Sequence, residues 1–153
     1  MTSQHLMTAA TRYAEAFSRL QPDRIDQLVD LVHDEVIFAD PFNRLRGKAS
    51  FRQVFAHMFE VCDEPRFQVS DIASGQKAVY LRWRMTGRLR SWPRTEIDLE
   101  GMSEITINAD GLITAHIDHW DSASQLLSKL PGIGLVMKSM LRLFRLPPGT
   151  VGE

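Results

Sequence analysis

Apolar positions recur at helical spacing in the first third of the chain and at every second residue in its middle. Leu6, Ala9, Ala10, Tyr13, Ala16, Phe17 and Leu20 share one face, which predicts a helix over Leu6 to Leu20. Gln21-Pro22-Asp23 stops it, and Pro22 suits the first turn of a second helix. That helix carries Ile25, Leu28, Val29 and Val32 and is expected to end near His33-Asp34. A strand-like Val36-Ile37-Phe38 follows. Phe51, Val54, Phe55, Met58 and Phe59 then mark a third helix over Ser50 to Val61, with His57 off the centre of its stripe.

Four strands are predicted next: Arg66 to Ala73, Ala78 to Arg88, Thr95 to Ile107 and Leu112 to Asp121. Val79, Leu81, Trp83 and Met85 alternate with Tyr80, Arg82, Arg84 and Arg88. Ile97, Leu99, Gly101, Ser103, Ile105 and Ile107 alternate with Glu96, Asp98, Glu100 and Glu104. A basic face beside an acidic one is what an antiparallel pair uses for cross-strand ion pairs. Three helices followed by a strand meander give an α+β layout, with helices over the concave face of a curved antiparallel sheet. Such a half-barrel leaves room for an internal pocket. In the last strand, Thr114, His116, Asp118 and Trp120 oppose Ile113, Ala115, Ile117 and His119. If Trp120 faces the pocket, His116 and Asp118 come with it; otherwise Ile113 to Ile117 are core.

Composition narrows the classes. The 153 residues fit one domain, and a formal net charge of −1 gives no field that favours nucleic acid. The lone Cys62 allows no internal disulfide framework and suggests a reducing compartment. Met1 to Ala10 does not read as a signal peptide, and no apolar run reaches membrane-spanning length, so a cytoplasmic location is expected. Cys62 reads as helical, with Asp63 and Glu64 beside it raising its thiol, which makes it a poor nucleophile. His116-Ile117-Asp118-His119 offers at most two metal ligands on a strand face, too few for a site, so neither metal nor cofactor is expected.

The richest stretch is Phe38-Ala39-Asp40-Pro41-Phe42. Proline fixes its own φ and holds the preceding residue extended. Asp40 is therefore fixed at a strand end between aromatic side chains, as a candidate general base. The alternative is an aspartate that builds a Pro-containing turn.

Together with Ile25 to Val36, Gly47, the Phe51 to Phe59 helix, and Asp110-Gly111 leading to Asp118-His119-Trp120-Asp121, this stretch carries a resemblance. The segment from Asp23 through Trp120 resembles the nuclear transport factor 2-like superfamily, which includes ketosteroid isomerases and SnoaL-type polyketide cyclases. The resemblance implies a cone-shaped barrel whose pocket accepts a flat hydrophobic molecule. It implies Asp40 as the base, Tyr13 as a hydrogen-bond donor to a developing enolate, and Trp120 as a pocket tryptophan. Ser103 stands where the isomerases carry a protonated aspartate, a departure from their pattern, and its hydroxyl is the second expected stabiliser of the substrate oxygen. The cyclase branch keeps its acid–base carboxylate near the last strands, which points to Asp118, with Asp121 as the alternative. His116, Phe38, Phe55, Trp83 and Leu99 are the further candidates for the pocket wall. A homodimer through the outer sheet face is expected.

The domain is expected to span residues 1–130, with a C-terminal helix and tail over 131–153. Leu126 to Leu130 reads as a short helix, broken at Pro131-Gly132, and Ile133 to Leu146 as another. The second is more apolar than a surface helix needs, with Lys138, Arg142 and Arg145 as a basic stripe. It can cap the pocket mouth, pack on a partner subunit, or lie on a membrane surface. The functional expectation is a cofactor-free isomerase or cyclase that moves a proton next to a carbonyl of a small hydrophobic molecule. The alternative is a non-catalytic ligand-binding or protein-interaction module.

Overall fold

The structure, a computed structural model, describes residues 3–142. It forms two compact units divided between Trp120 and Asp121. The first opens with α1 (Ser3–Ser18), a 3-10 turn at Pro22–Arg24 and α2 (Ile25–Val29). Strands β1 (Val32–Ala39) and β2 (Arg44–Arg46) lead into α3 (Lys48–Val61). Then come β3 (Cys62–Ser74), β4 (Val79–Leu89), β5 (Glu96–Ile107) and β6 (Ile113–Trp120).

The six strands lie in the order β2-β1-β6-β5-β4-β3 and form a curved, unclosed sheet, the cone-shaped half-barrel of an α+β fold. All neighbours are antiparallel except β1 and β6, which run parallel. The curved antiparallel sheet expected from the sequence thus contains one parallel pair. A parallel pair needs a long crossover, and α3 with the β3–β5 meander supplies it.

The interior follows the predicted alternation. Val79, Leu81, Trp83 and Met85 of β4 are buried, as are Ile97, Leu99, Ser103 and Ile105 of β5. Tyr13 and Phe17 of α1, Phe38 of β1, and Phe51 and Phe55 of α3 complete the core. On the outer face Arg82 pairs with Glu100 at 3.1 Å, Arg84 with Asp98 at 2.7 Å, and Arg88 with Glu96 at 2.6 Å.

Several boundaries differ from expectation. The second helix stops at Val29, because Val32 is the first residue of β1 and pairs with Ile113. Its apolar side chain is buried from a strand, which helical spacing cannot distinguish over so short a run. The three-residue β2, an edge strand, has no period of its own. Cys62 begins β3 rather than continuing the helix, and burial is the first cause of its raised thiol pKa.

In the second unit the expected Leu126 to Leu130 helix is two pieces, α4 (Ser122–Gln125) and a 3-10 turn at Leu127–Lys129. Asp121 caps α4, its Oδ1 accepting from the Ser124 N–H at 2.9 Å, and those hydrogen bonds hold its carboxyl below the usual range. α5 spans Ile133–Arg142; residues 143–146 of the expected helix lie outside the described residues.

Candidate functional site

Five side chains from four elements form one hydrogen-bonded chain inside the barrel. The Trp83 indole N–H of β4 donates to Ser103 Oγ of β5 at 2.8 Å. Ser103 donates to Asp118 Oδ1 of β6 at 2.5 Å. The same Oδ1 lies 2.8 Å from His116 Nε2, and His116 Nδ1 lies 2.8 Å from the Tyr13 hydroxyl of α1.

Register explains the assembly. Ser103 stands directly opposite Asp118, and Ile105 opposite His116. Between β5 and β6 the pairing steps from Thr106–Ala115 to Ile107–Ile113, so Thr114 is an extra residue in β6. The Thr106 and Thr114 hydroxyls meet at 2.8 Å across this bulge. Because of it both Ile113 and His116 are buried, although strict alternation places them on opposite faces. Trp83 reaches Ser103 diagonally, since its direct partner is Gly101. A Cβ at Gly101 would stand 2.6 Å from Trp83 Cζ2, so glycine makes room for the indole.

One assignment of hydrogens satisfies the whole chain. An indole N–H can only donate, which leaves the Ser103 hydrogen for Asp118. Burial, and after it the charge of Asp118, raise the Tyr13 phenol well above its ordinary pKa. It therefore keeps its proton, whose partner among the described residues is Nδ1, so Tyr13 donates to Nδ1 and the ring donates to Asp118 from Nε2. His116 is 2 % exposed and ringed by aromatics, with ring centroids of Phe17 at 5.2 Å and Phe38 at 5.3 Å. Asp118 Oδ1 is thus saturated. Among the described residues no buried side-chain polar atom lacks a partner, and Oδ2 has none, so Oδ2 is an open oxygen.

Asp118 opens on a cavity of about 20 Å³ lined by Phe17, Phe55, Phe67, Val69, Leu81, Trp83, Ser103 and His116. That is room for about one water. Phe67 also lines a surface groove of about 530 Å³ beside the end of α1, and Val69 another of about 470 Å³ along α1. Two side chains of edge strand β3 therefore line both the cavity and a surface groove.

Of the sequence candidates, Tyr13, Ser103, His116, Asp118 and Trp83 meet in the chain, and Phe55 lines the cavity. Phe38 packs on His116. Leu99 is buried opposite Met85 and Trp120 stacks edge-on with Phe42 at 5.7 Å; neither lines the cavity. Asp40 stands outside it, in a turn. Its Oδ1 accepts from the Phe42 and Asn43 N–H groups at 2.8 and 2.6 Å, and the Asn43 side chain donates to both oxygens at 3.1 Å. Sequence reasoning missed Phe17, Phe67, Val69 and Leu81 as lining; alternation in Phe67 and Val69 was the available signal for β3. Among the described residues no three His, Cys, Asp or Glu side chains converge as a metal site requires.

This α+β half-barrel, with a polar chain threading an aromatic interior, is of the nuclear transport factor 2-like type. Within that class the chain belongs to the SnoaL-like domain family, whose model matches residues 10–116. A candidate polyketide cyclase from Xanthomonas campestris pv. campestris is 20% identical with a TM-score of 0.65, over 79% of this chain and 93% of that one. A nuclear transport factor 2-like protein from Anabaena variabilis is 17% identical with a TM-score of 0.67, over 82% and 97%. One from Exiguobacterium sp. 255-15 is 20% identical with a TM-score of 0.65, over 74% and 98%. At these identities the likeness is one of fold. No match is found among curated proteins.

Proposed function

We propose that the chain is a cofactor-free acid–base enzyme, an isomerase or cyclase, that moves a proton next to a carbonyl of a small hydrophobic molecule. The observation that carries this reading is Asp118 itself, in the wall of an aromatic-lined cavity with Oδ1 saturated and Oδ2 open. Ring closure or double-bond migration beside a carbonyl needs one group that takes a proton from carbon and returns it. Asp118 is that group. Ser103 and His116 fix its Oδ1 and so aim Oδ2, while Trp83 and Tyr13 fix Ser103 and His116 in turn. Tyr13, with its hydroxyl given to His116, acts through that ring rather than on the substrate. Substrate enters by displacing side chains, and Phe67 and Val69, which line both the cavity and a surface groove, are the pair that moves.

The test is deuterium incorporation at carbon. The protein is incubated in D₂O with a panel of small apolar ketones and β-keto esters, and mass spectra report exchange beside the carbonyl. At least one compound should exchange, and Asp118→Asn should slow it by roughly 10²- to 10⁴-fold. Exchange that survives unchanged in Asp118→Asn removes Asp118 from the chemistry.

A second reading, a non-catalytic binding or interaction module, draws on the cavity's small size, about 20 Å³. It predicts no exchange with any compound and ligand affinity that is indifferent to Asp118→Asn.

A further inference from the structure

The second unit carries a surface that the acid–base reading does not use. Gly134 lies so close to the preceding turn that an added Cβ would stand 2.6 Å from the Ser128 carbonyl oxygen. That contact fixes the inner face of α5, which Met137 and Leu141 share at helical spacing. The other side chains turn outward. Ile133, Leu135, Val136 and Met140 are 54, 73, 60 and 52 % exposed. Single exposed apolar residues are ordinary, but Ile133, Val136 and Met140 adjoin at helical spacing, and Leu135 adds a fourth on the other flank, which marks an interaction surface.

Charge identifies the partner. Between Ser122 and Gly152 the sequence holds Lys129, Lys138, Arg142 and Arg145 and no acid, while the whole chain carries a formal net charge of −1. Positive charge is thus concentrated in the segment of sequence that carries α5. We propose that α5 docks on an anionic lipid bilayer. Ile133, Val136 and Met140 lie together on the helix, and Leu135 lies well round from them. A protein partner covers one stripe and favours aromatic anchors, of which α5 has none. A helix sunk into the boundary between headgroups and acyl chains covers apolar side chains on both flanks. Lys138 and Arg142 bury their stems and reach back to the headgroups.

The test is flotation of the full chain with phosphatidylcholine vesicles containing one quarter phosphatidylglycerol, against phosphatidylcholine alone. At low salt the chain should float with the anionic vesicles only, and the bound fraction should fall as salt screens exposed charge. Lys138→Gln with Arg142→Gln should weaken binding roughly 30-fold. Val136→Ser with Met140→Ser should weaken it as well, with the circular dichroism spectrum and melting curve of both variants unchanged. Absence of flotation at low salt overturns the proposal, as does equal binding to neutral vesicles. Concentration-dependent self-association that Val136→Ser with Met140→Ser abolishes, without vesicle binding, assigns the face to a second copy instead.

Discussion

Ser103 and Asp118 face each other across β5 and β6 with Oγ and Oδ1 2.5 Å apart, and Trp83 dictates which of them donates. Ser103→Ala removes the acceptor of a buried indole N–H. An unmet buried donor costs about 1–3 kcal/mol, so the urea midpoint should fall accordingly. Trp83→Phe removes the donor itself. In the Ser103→Ala background it should cost less than it does alone, because no unmet N–H remains. Additive losses in the double variant would show that the two side chains do not act as a pair.

Asp40 and Asp118 make opposite predictions. The Asp40 carboxylate is occupied by Phe42 and Asn43, so its first duty is to the turn. Asp40→Ala should lower stability by about 1 kcal/mol. Asp40→Asn keeps an oxygen for the two backbone N–H groups and should cost less. It should also leave deuterium exchange within about twofold of the parent, since only losses of about tenfold or more reflect a removed acid–base group. Loss of exchange in Asp40→Asn with retention in Asp118→Asn would move the base to the strand end.

Gly101 controls the chain from behind. A Cβ there would meet Trp83 Cζ2 at 2.6 Å and the Trp120 Cβ at 2.9 Å. Overpacking of this kind costs about 1–3 kcal/mol. Gly101→Ala should therefore lower the melting temperature and displace the indole, changing its fluorescence. Trp83→Phe in the same background should cost less than it does alone, because the indole atoms Cζ2 and Cη2 are the ones the new methyl meets. An unchanged melt for Gly101→Ala would mean that Trp83 has free space to move into.

The faces of β4 and β5 are legible because a half-buried antiparallel pair imposes period two, and Val79 to Met85 and Ile97 to Ile105 keep it. The ion pairs outside follow from the same alternation. His116 is different. Its burial depends on the Thr114 bulge, an extra residue that no periodic reading of Ile113 to Trp120 reveals. The Trp83–Ser103 contact is diagonal, so it depends on register as well as face. Asp40 is ambiguous for another reason. The acid that would serve a pocket is also the acid that a Pro-containing turn prefers, and the hydrogen bonds that Asn43 makes to Asp40 are not visible in the pattern of apolar positions. Val32 shows the limit of short apolar runs: helix and strand both bury it.

Tyr13 makes the fold sensitive to alkali. Its folded pKa lies above the ordinary value of about 10, first through burial and then through the charge of Asp118. Below about pH 10 the phenol is neutral in both states and its contribution is fully present. As pH rises further, the unfolded chain loses the Tyr13 proton while the folded chain keeps it, so stability falls towards the folded pKa. Cys62, also raised by burial, adds a loss of the same sign from about pH 8.5 upward. Urea denaturation between pH 8 and 12 should show both phases. Cys62→Ala should remove the earlier one. Tyr13→Phe should flatten the later one while costing about 1–3 kcal/mol at neutral pH, because His116 Nδ1 loses its donor. An alkaline slope that Tyr13→Phe leaves intact would mean that the phenol ionises as freely folded as unfolded. The proton could not then be fixed on the tyrosine, and the His116 ring orientation that aims Asp118 would lose its support.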